Sequence, residues 1–114
     1  MSIQRIVPLL TVDDLAEALE AHCRALGLTV LMNHGWVAFI GDERGHQLGL
    51  MTRDASAPVN PEVSVFVDDV EATHDAVRAA GLEIVHPLTH EPWGVYRFFY
   101  RDPSGRVINV GTHE

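Results

Sequence analysis

Seven histidines, sixteen aspartates and glutamates and a single cysteine, Cys23, are the side chains of this sequence that could ligate a metal or move a proton. Their spacing supports little of that chemistry. His86 and His90 stand four apart, a spacing that aligns two side chains on a helix. They flank Pro87-Leu88-Thr89, however, in a stretch that reads as a loop, so both are expected at the surface. His22 and His74 fall inside helices, while His34, His46 and His113 fall at strand ends or near the terminus. Glu62 opens an apolar strand and has more promise. A carboxylate in an apolar cleft has its pKa raised and can serve as a base, although no acid partner is placed for it. Two readings stand for Glu62: a charge facing a ligand, or an exposed strand-end carboxylate after Pro61. Asn109 is either a weak oxygen donor or a hydrogen-bond partner for nearby backbone. Trp36, Phe66, Trp93, Tyr96 and Phe98 offer apolar area and faces that attract cations, each close contact worth roughly 0.5–2 kcal/mol. Packing in a core is their alternative use.

The elements that must position these residues are written twice. Val12-Asp13-Asp14-Leu15 matches Val67-Asp68-Asp69-Val70, Gly27-Leu28 matches Gly81-Leu82, and Asp42-Glu43-Arg44-Gly45 matches Asp102-Pro103-Ser104-Gly105. Internal self-similarity of this kind signals a repeated structural unit. In each copy an apolar strand, spanning 6 to 12 in the first, ends at an Asp pair suited to capping a helix. Leu15, Leu19, Cys23 and Leu26 then recur at helical spacing, as do Val70, Val77 and Ala80. Gly27 and Gly81 stop the helices. Three strand-like runs follow each helix, near 28–33, 36–41 and 46–51, then 82–86, 95–101 and 106–111. Asp102-Pro103-Ser104-Gly105 has the composition of a type I turn. The chain is therefore expected to be a single α+β domain of tandem βαβββ modules, with curved mixed sheets around a cleft. The modules span 1–52 and 62–114, with a linker over 53–61 that is too rich in Pro and small polar residues for regular structure.

Alternation assigns faces. Val63, Val65 and Val67 belong under the helix, so Glu62, Ser64 and Phe66 point to the cleft, with Val7, Leu9 and Thr11 as first-copy counterparts. Gly49 corresponds to Asn109, and Trp36, Ala38 and Ile40 to Tyr96, Phe98 and Tyr100. The last three pairs are assigned to the cleft because the opposite face carries Arg97 and Arg101. The candidate ligand-binding set is Trp36, Gln47, Gly49, Glu62, Ser64, Phe66, Trp93, Tyr96, Phe98 and Asn109.

Composition sets the partners. The formal net charge is −8, which argues against nucleic acid and suits a cationic ligand attracted to an acidic cleft. No run approaches the roughly 20 apolar residues that cross a bilayer, and the first residues do not read as a signal peptide. A lone cysteine forms no intrachain disulfide. The expected address is the cytoplasm, with no membrane partner.

Val7-Pro8-Leu9-Leu10-Thr11-Val12-Asp13-Asp14 and the stretch from Glu91-Pro92-Trp93-Gly94 to Asp102-Pro103-Ser104-Gly105 carry a resemblance to the vicinal oxygen chelate superfamily of glyoxalases, bleomycin-resistance proteins and extradiol dioxygenases. The resemblance spans essentially the whole chain. It implies four cleft positions for a divalent metal, here Val7, Gly49, Glu62 and Asn109. Two of these have no ligating side chain, so no metal and no other cofactor is expected. The pattern is similar to that of bleomycin-resistance proteins, which bind a drug without transforming it. That likeness implies a homodimer, with an N-terminal arm exchanged between subunits, that sequesters a cationic or aromatic antibiotic-like molecule. The alternative is a lyase, isomerase or dioxygenase with unorthodox ligands.

Overall fold

The computed structural model describes residues 1–114. Each Asp pair does what its chemistry dictates. Asp14 caps helix α1 (Leu15–Leu26), its carboxylate accepting from the Glu17 N–H at 2.9 Å, and Asp69 caps α2 (Val70–Ala79) through the Ala72 N–H at 3.0 Å. Both close the first turn, where backbone donors have no helical acceptor. At the far end of α1, Gly27 takes φ 67° and its N–H reaches the Cys23 carbonyl, a left-handed cap that suits a residue without a Cβ.

The other elements are β1 (Ile3–Thr11), β2 (Thr29–Asn33), β3 (Val37–Gly41), β4 (Gln47–Met51), β5 (Val63–Val67), β6 (Glu83–Glu91), β7 (Val95–Arg101) and β8 (Val107–His113). The chain thus runs βαβββ twice in α+β form. It forms two compact units, one of residues 7–60 and one joining 1–6 to 61–114.

In the first unit the sheet order is β2-β3-β4-β1, with β1 parallel to β4 and the other pairs antiparallel. Leu15 and Leu19 of α1 pack on Ala38, Ile40 and Leu50, while Leu26, on the same predicted stripe, is exposed. Residues 53–61 contain no helix or strand but are tied down. The Asn60 side chain donates to the Thr52 carbonyl and Thr11 hydroxyl and accepts from the Asp54 N–H.

In the second unit the order is β5-β8-β7-β6, with β5 parallel to β8. The N-terminal segment joins this unit, Ser2 exchanging hydrogen bonds with Asp68. Val70 and Val77 of α2 pack on Val67, Phe98 and Val110.

These two clusters correct the face assignment on β3 and β7. Ala38 and Ile40, and with them Tyr96, Phe98 and Tyr100, lie on the helix side of their sheets. The residues turned away from the helices are Val37 and Phe39 in the first sheet, and Val95, Arg97 and Phe99 in the second. The presence of Arg97 does not make its face the solvent side, because the guanidinium is buried in an ion pair.

Candidate functional site

The sheet faces turned away from the helices carry the residues of interest. On the first sheet this face is apolar and filled. Val7 is fully buried, and a Cβ placed on Gly49 would come 2.3 Å from Leu9 Cδ2 and 3.0 Å from Phe39 Cε1. Gly49 is there because its neighbours occupy the space. Gln47, two residues earlier on the same face, is half-buried, and its Oε1 is sealed from solvent with no hydrogen-bond partner. An open groove of about 540 Å³ at the β3–β4 turn is lined by Gly27, Thr29, Leu31 and residues 41–44. It contains none of the candidate residues.

On the second sheet the same face is polar and buried. The strand register sets Ser64, Asn109, Phe99 and His86 in one row across β5, β8, β7 and β6. Asn109 Nδ2 donates to Ser64 Oγ at 2.9 Å, and Asn109 Oδ1 is buried without a partner. A charged cluster adjoins the row. Arg97 Nε and Nη2 lie 2.7 and 2.5 Å from Glu91 Oε2, and His86 Nε2 lies 3.4 Å from the same oxygen. That last contact is within ion-pair reach but is not aligned as a hydrogen bond, so His86 Nε2 is also unpartnered. All three side chains are buried, and the Arg97–Glu91 pairing keeps either of those charges from standing alone in the interior. Gly111 faces Arg97, and a Cβ there would press on Arg97 Cβ at 3.3 Å.

Sequence reading missed His86, and the reason is local. Ile84 and Leu88 both pack on the helix side, and plain alternation would put His86 with them. The ladder shifts register on either side of His86, and such bulges re-aim a side chain. The stretch expected as a loop is thus strand, with Pro87 accommodated on an edge strand beside a bulge. His90 is exposed, stacks on Tyr96 at 3.7 Å and meets Glu114 at 2.8 Å.

The other candidates divide. Ser64, Phe66 and Asn109 are buried on the face away from α2, while Tyr96 and Phe98 belong to the helix-side cluster. Trp36 precedes β3, and Trp93 sits in the β6–β7 turn; both are half-buried. Glu62 is exposed and 3.3 Å from the Arg106 guanidinium. Of the five rings expected to receive a cation, Phe66 and Trp93 already hold one. Arg97 lies over Trp93 at 5.0 Å and Phe99 at 4.8 Å, and Arg5 lies 4.1 Å over Phe66. Arg5 also meets His113 Nε2 at 2.7 Å, and burial lowers its pKa from the usual guanidinium value.

The four positions that would hold a divalent ion do not fit one. Val7 and Gly49 offer no donor, Asn109 offers only a neutral amide oxygen, and Glu62 is turned to Arg106. No three His, Cys, Asp or Glu side chains converge in a geometry that would hold an ion.

Comparison with solved structures finds the same fold at low identity. A protein from Legionella pneumophila described as an NAD-dependent benzaldehyde dehydrogenase superposes with TM-score 0.83 at 20% identity, over 96% of this chain and 100% of that one. A glyoxalase/bleomycin resistance protein/dioxygenase superfamily member from Vibrio splendidus 12B01 gives 0.71 at 19%, over 97% and 99%. Methylmalonyl-CoA epimerase from Mycobacterium tuberculosis gives 0.71 at 17%, over 98% and 87%. No curated protein sequence matches. The family model of this superfamily, in contrast, matches residues 2–110. With duplicated βαβββ order and that match over nearly its whole length, the chain belongs to the glyoxalase/bleomycin resistance protein/dioxygenase superfamily.

Proposed function

We propose that this chain binds a small molecule and holds it without transforming it, as a sequestering protein of the bleomycin-resistance kind. One observation carries the reading. The positions suited to a metal carry no donor set, while His86 Nε2 and Asn109 Oδ1 are buried without partners on the face of the second sheet turned from α2. A buried polar atom left unsatisfied costs about 1–3 kcal/mol, and such atoms call for an explanation in a folded protein. A bound ligand supplies one. The cationic ligand anticipated from net charge is not part of the proposal, because arginines of this chain already cover Phe66 and Trp93, and Tyr96 and Phe98 belong to the helix-side cluster.

Self-association belongs to the same reading. Ile6 and Leu10, which alternation puts on one face of β1, are 57% and 42% exposed, apolar area that a second copy would cover. Calorimetric titration against bleomycin-type drugs tests the ligand class. Saturable 1:1 heat per chain supports sequestration, and absence of heat from every drug removes it. A second reading, an enzyme, is favoured by the buried imidazole of His86, 3.4 Å from Glu91 Oε2, a titratable group of the kind that general acid–base catalysis uses. Stoichiometric metal in protein purified without added ions would promote that reading over the first.

A further inference from the structure

The two sheets end on outermost strands of opposite character. An edge strand presents unpaired N–H and C=O groups to any extended chain, and natural proteins blunt it with charge, proline or bulges. β6, outermost in the second sheet, has all three: Glu83, Pro87 and register shifts on both sides of His86. β2, outermost in the first, reads Thr-Val-Leu-Met-Asn, with neither charge nor proline. Val30 and Leu31 are 49% and 50% exposed, and Leu26, just before the strand, is 60% exposed. The single register shift of β2 leaves Leu31 as the extra residue between Val30 and Met32.

Leu31 lies over Gly41, where an added Cβ would come 2.7 Å from Leu31 Cδ1. With Thr29 it lines the open groove of about 540 Å³ at the β3–β4 turn. Two residues of an edge strand thus border a cavity, the arrangement in which an added strand seats a side chain. The charge of the groove decides which side chain. Asp42 and Glu43 line it against Arg44 alone, and Gly27 brings the C-terminal end of α1, the negative end of the helix dipole. His46 and the N–H groups of the turn hold Asp42 in its charged form. The balance is negative, so a basic side chain is attracted and an acidic one repelled. A second copy of the chain does not answer this groove. Its β2 carries no cation, and each copy has a formal net charge of −8.

We infer that β2 and the adjoining groove take up an extended peptide segment of a partner protein, paired strand to strand with β2 and setting a lysine or arginine beside Asp42 and Glu43. Five residues of strand span about 17 Å, so a segment of that length suffices. Backbone pairing supplies affinity whatever the sequence, and the groove supplies selectivity for a basic residue. The surface is separate from the buried row of the second sheet, and neither reading depends on the other.

Three peptides titrated into the full chain and followed by amide NMR test it: acetyl-Thr-Val-Lys-Val-Thr-amide, the same peptide with Glu for Lys, and the Lys peptide N-methylated along its backbone. The Lys peptide is expected to shift the amide signals of residues 29–33, with the Glu peptide at least roughly tenfold weaker. The N-methylated peptide, which cannot donate to β2, should not bind. Glu43→Lys, at an exposed turn position, should reverse the order of the Lys and Glu peptides. Equal affinity of those two for the parent, undiminished binding of the N-methylated peptide, or shifts that spare β2 overturn the assignment. Silence from all three peptides overturns it as well. If the β2 signals move instead with the concentration of the chain itself, a second copy is the occupant and the peptide class is wrong.

Discussion

At the scale of single residues, the buried cluster of Arg97, Glu91 and His86 decides most. Its members are far more costly to separate than to remove together. Arg97→Met alone should lower stability by roughly 3–5 kcal/mol, whereas Arg97→Met with Glu91→Met should recover most of that loss. Urea denaturation of the two variants measures the difference, and equal losses would show that the pair is not coupled. A second residue-level prediction concerns Asp42. His46 donates a side-chain hydrogen bond to its carboxylate and, with backbone donors of the turn, holds its pKa below the usual carboxylate value. A lowered folded-state pKa gives stability that is present above the ordinary carboxylate range and is lost as pH falls through the lowered value. Asp42→Asn should therefore unfold more readily than the parent at neutral pH, and the two should converge in strong acid. A gap that persists at the acid end would contradict the linkage. Sequence reading treated arginine as the mark of a solvent face and so turned β7 over. It could not foresee that a glutamate six residues earlier would neutralise Arg97 inside the protein.

At the scale of elements, most of the design was legible, because caps and stops are local. Asp14 and Asp69 act on the N–H groups three residues ahead of them, and no distant residue is needed. Asp14→Ala and Asp69→Ala should each cost about 1 kcal/mol, read as a shift in denaturation midpoint, and a negligible shift in both would show that the caps are ornamental. The turns repeat as faithfully. Asp42 and Asp102 each accept from backbone N–H groups two and four residues on, and Gly45 and Gly105 take φ 86° and 89°. Gly49 shows where local reading ends. Its correspondence with Asn109 is plain in the repeat, but not the reason for its lacking a side chain. Gly49→Val should destabilise by about 1–3 kcal/mol by overpacking, since Leu9 and Phe39 already fill the space; a tolerated valine would mean that they yield readily. The paired register shifts in β6 were equally hidden, because a bulge depends on how two strands meet.

At the scale of the whole molecule, the uncovered Ile6 and Leu10 lead to a prediction of a dimer by sedimentation velocity, with Ile6→Glu driving it to monomer while circular dichroism stays unchanged. A parent that sediments as a monomer at every concentration would remove self-association from the proposal. The sequence by itself determined the duplicated βαβββ order, the helix caps and the tight turns, since each follows from residues near one another in the chain or from a fixed offset between its copies. Tertiary structure alone decided which faces of β3 and β7 turn from the helices, that Arg97 lies buried against Glu91, and that His86 is drawn into the row with Asn109. Those depend on strand register and on pairing between distant residues, where a shift of one position exchanges inside for outside.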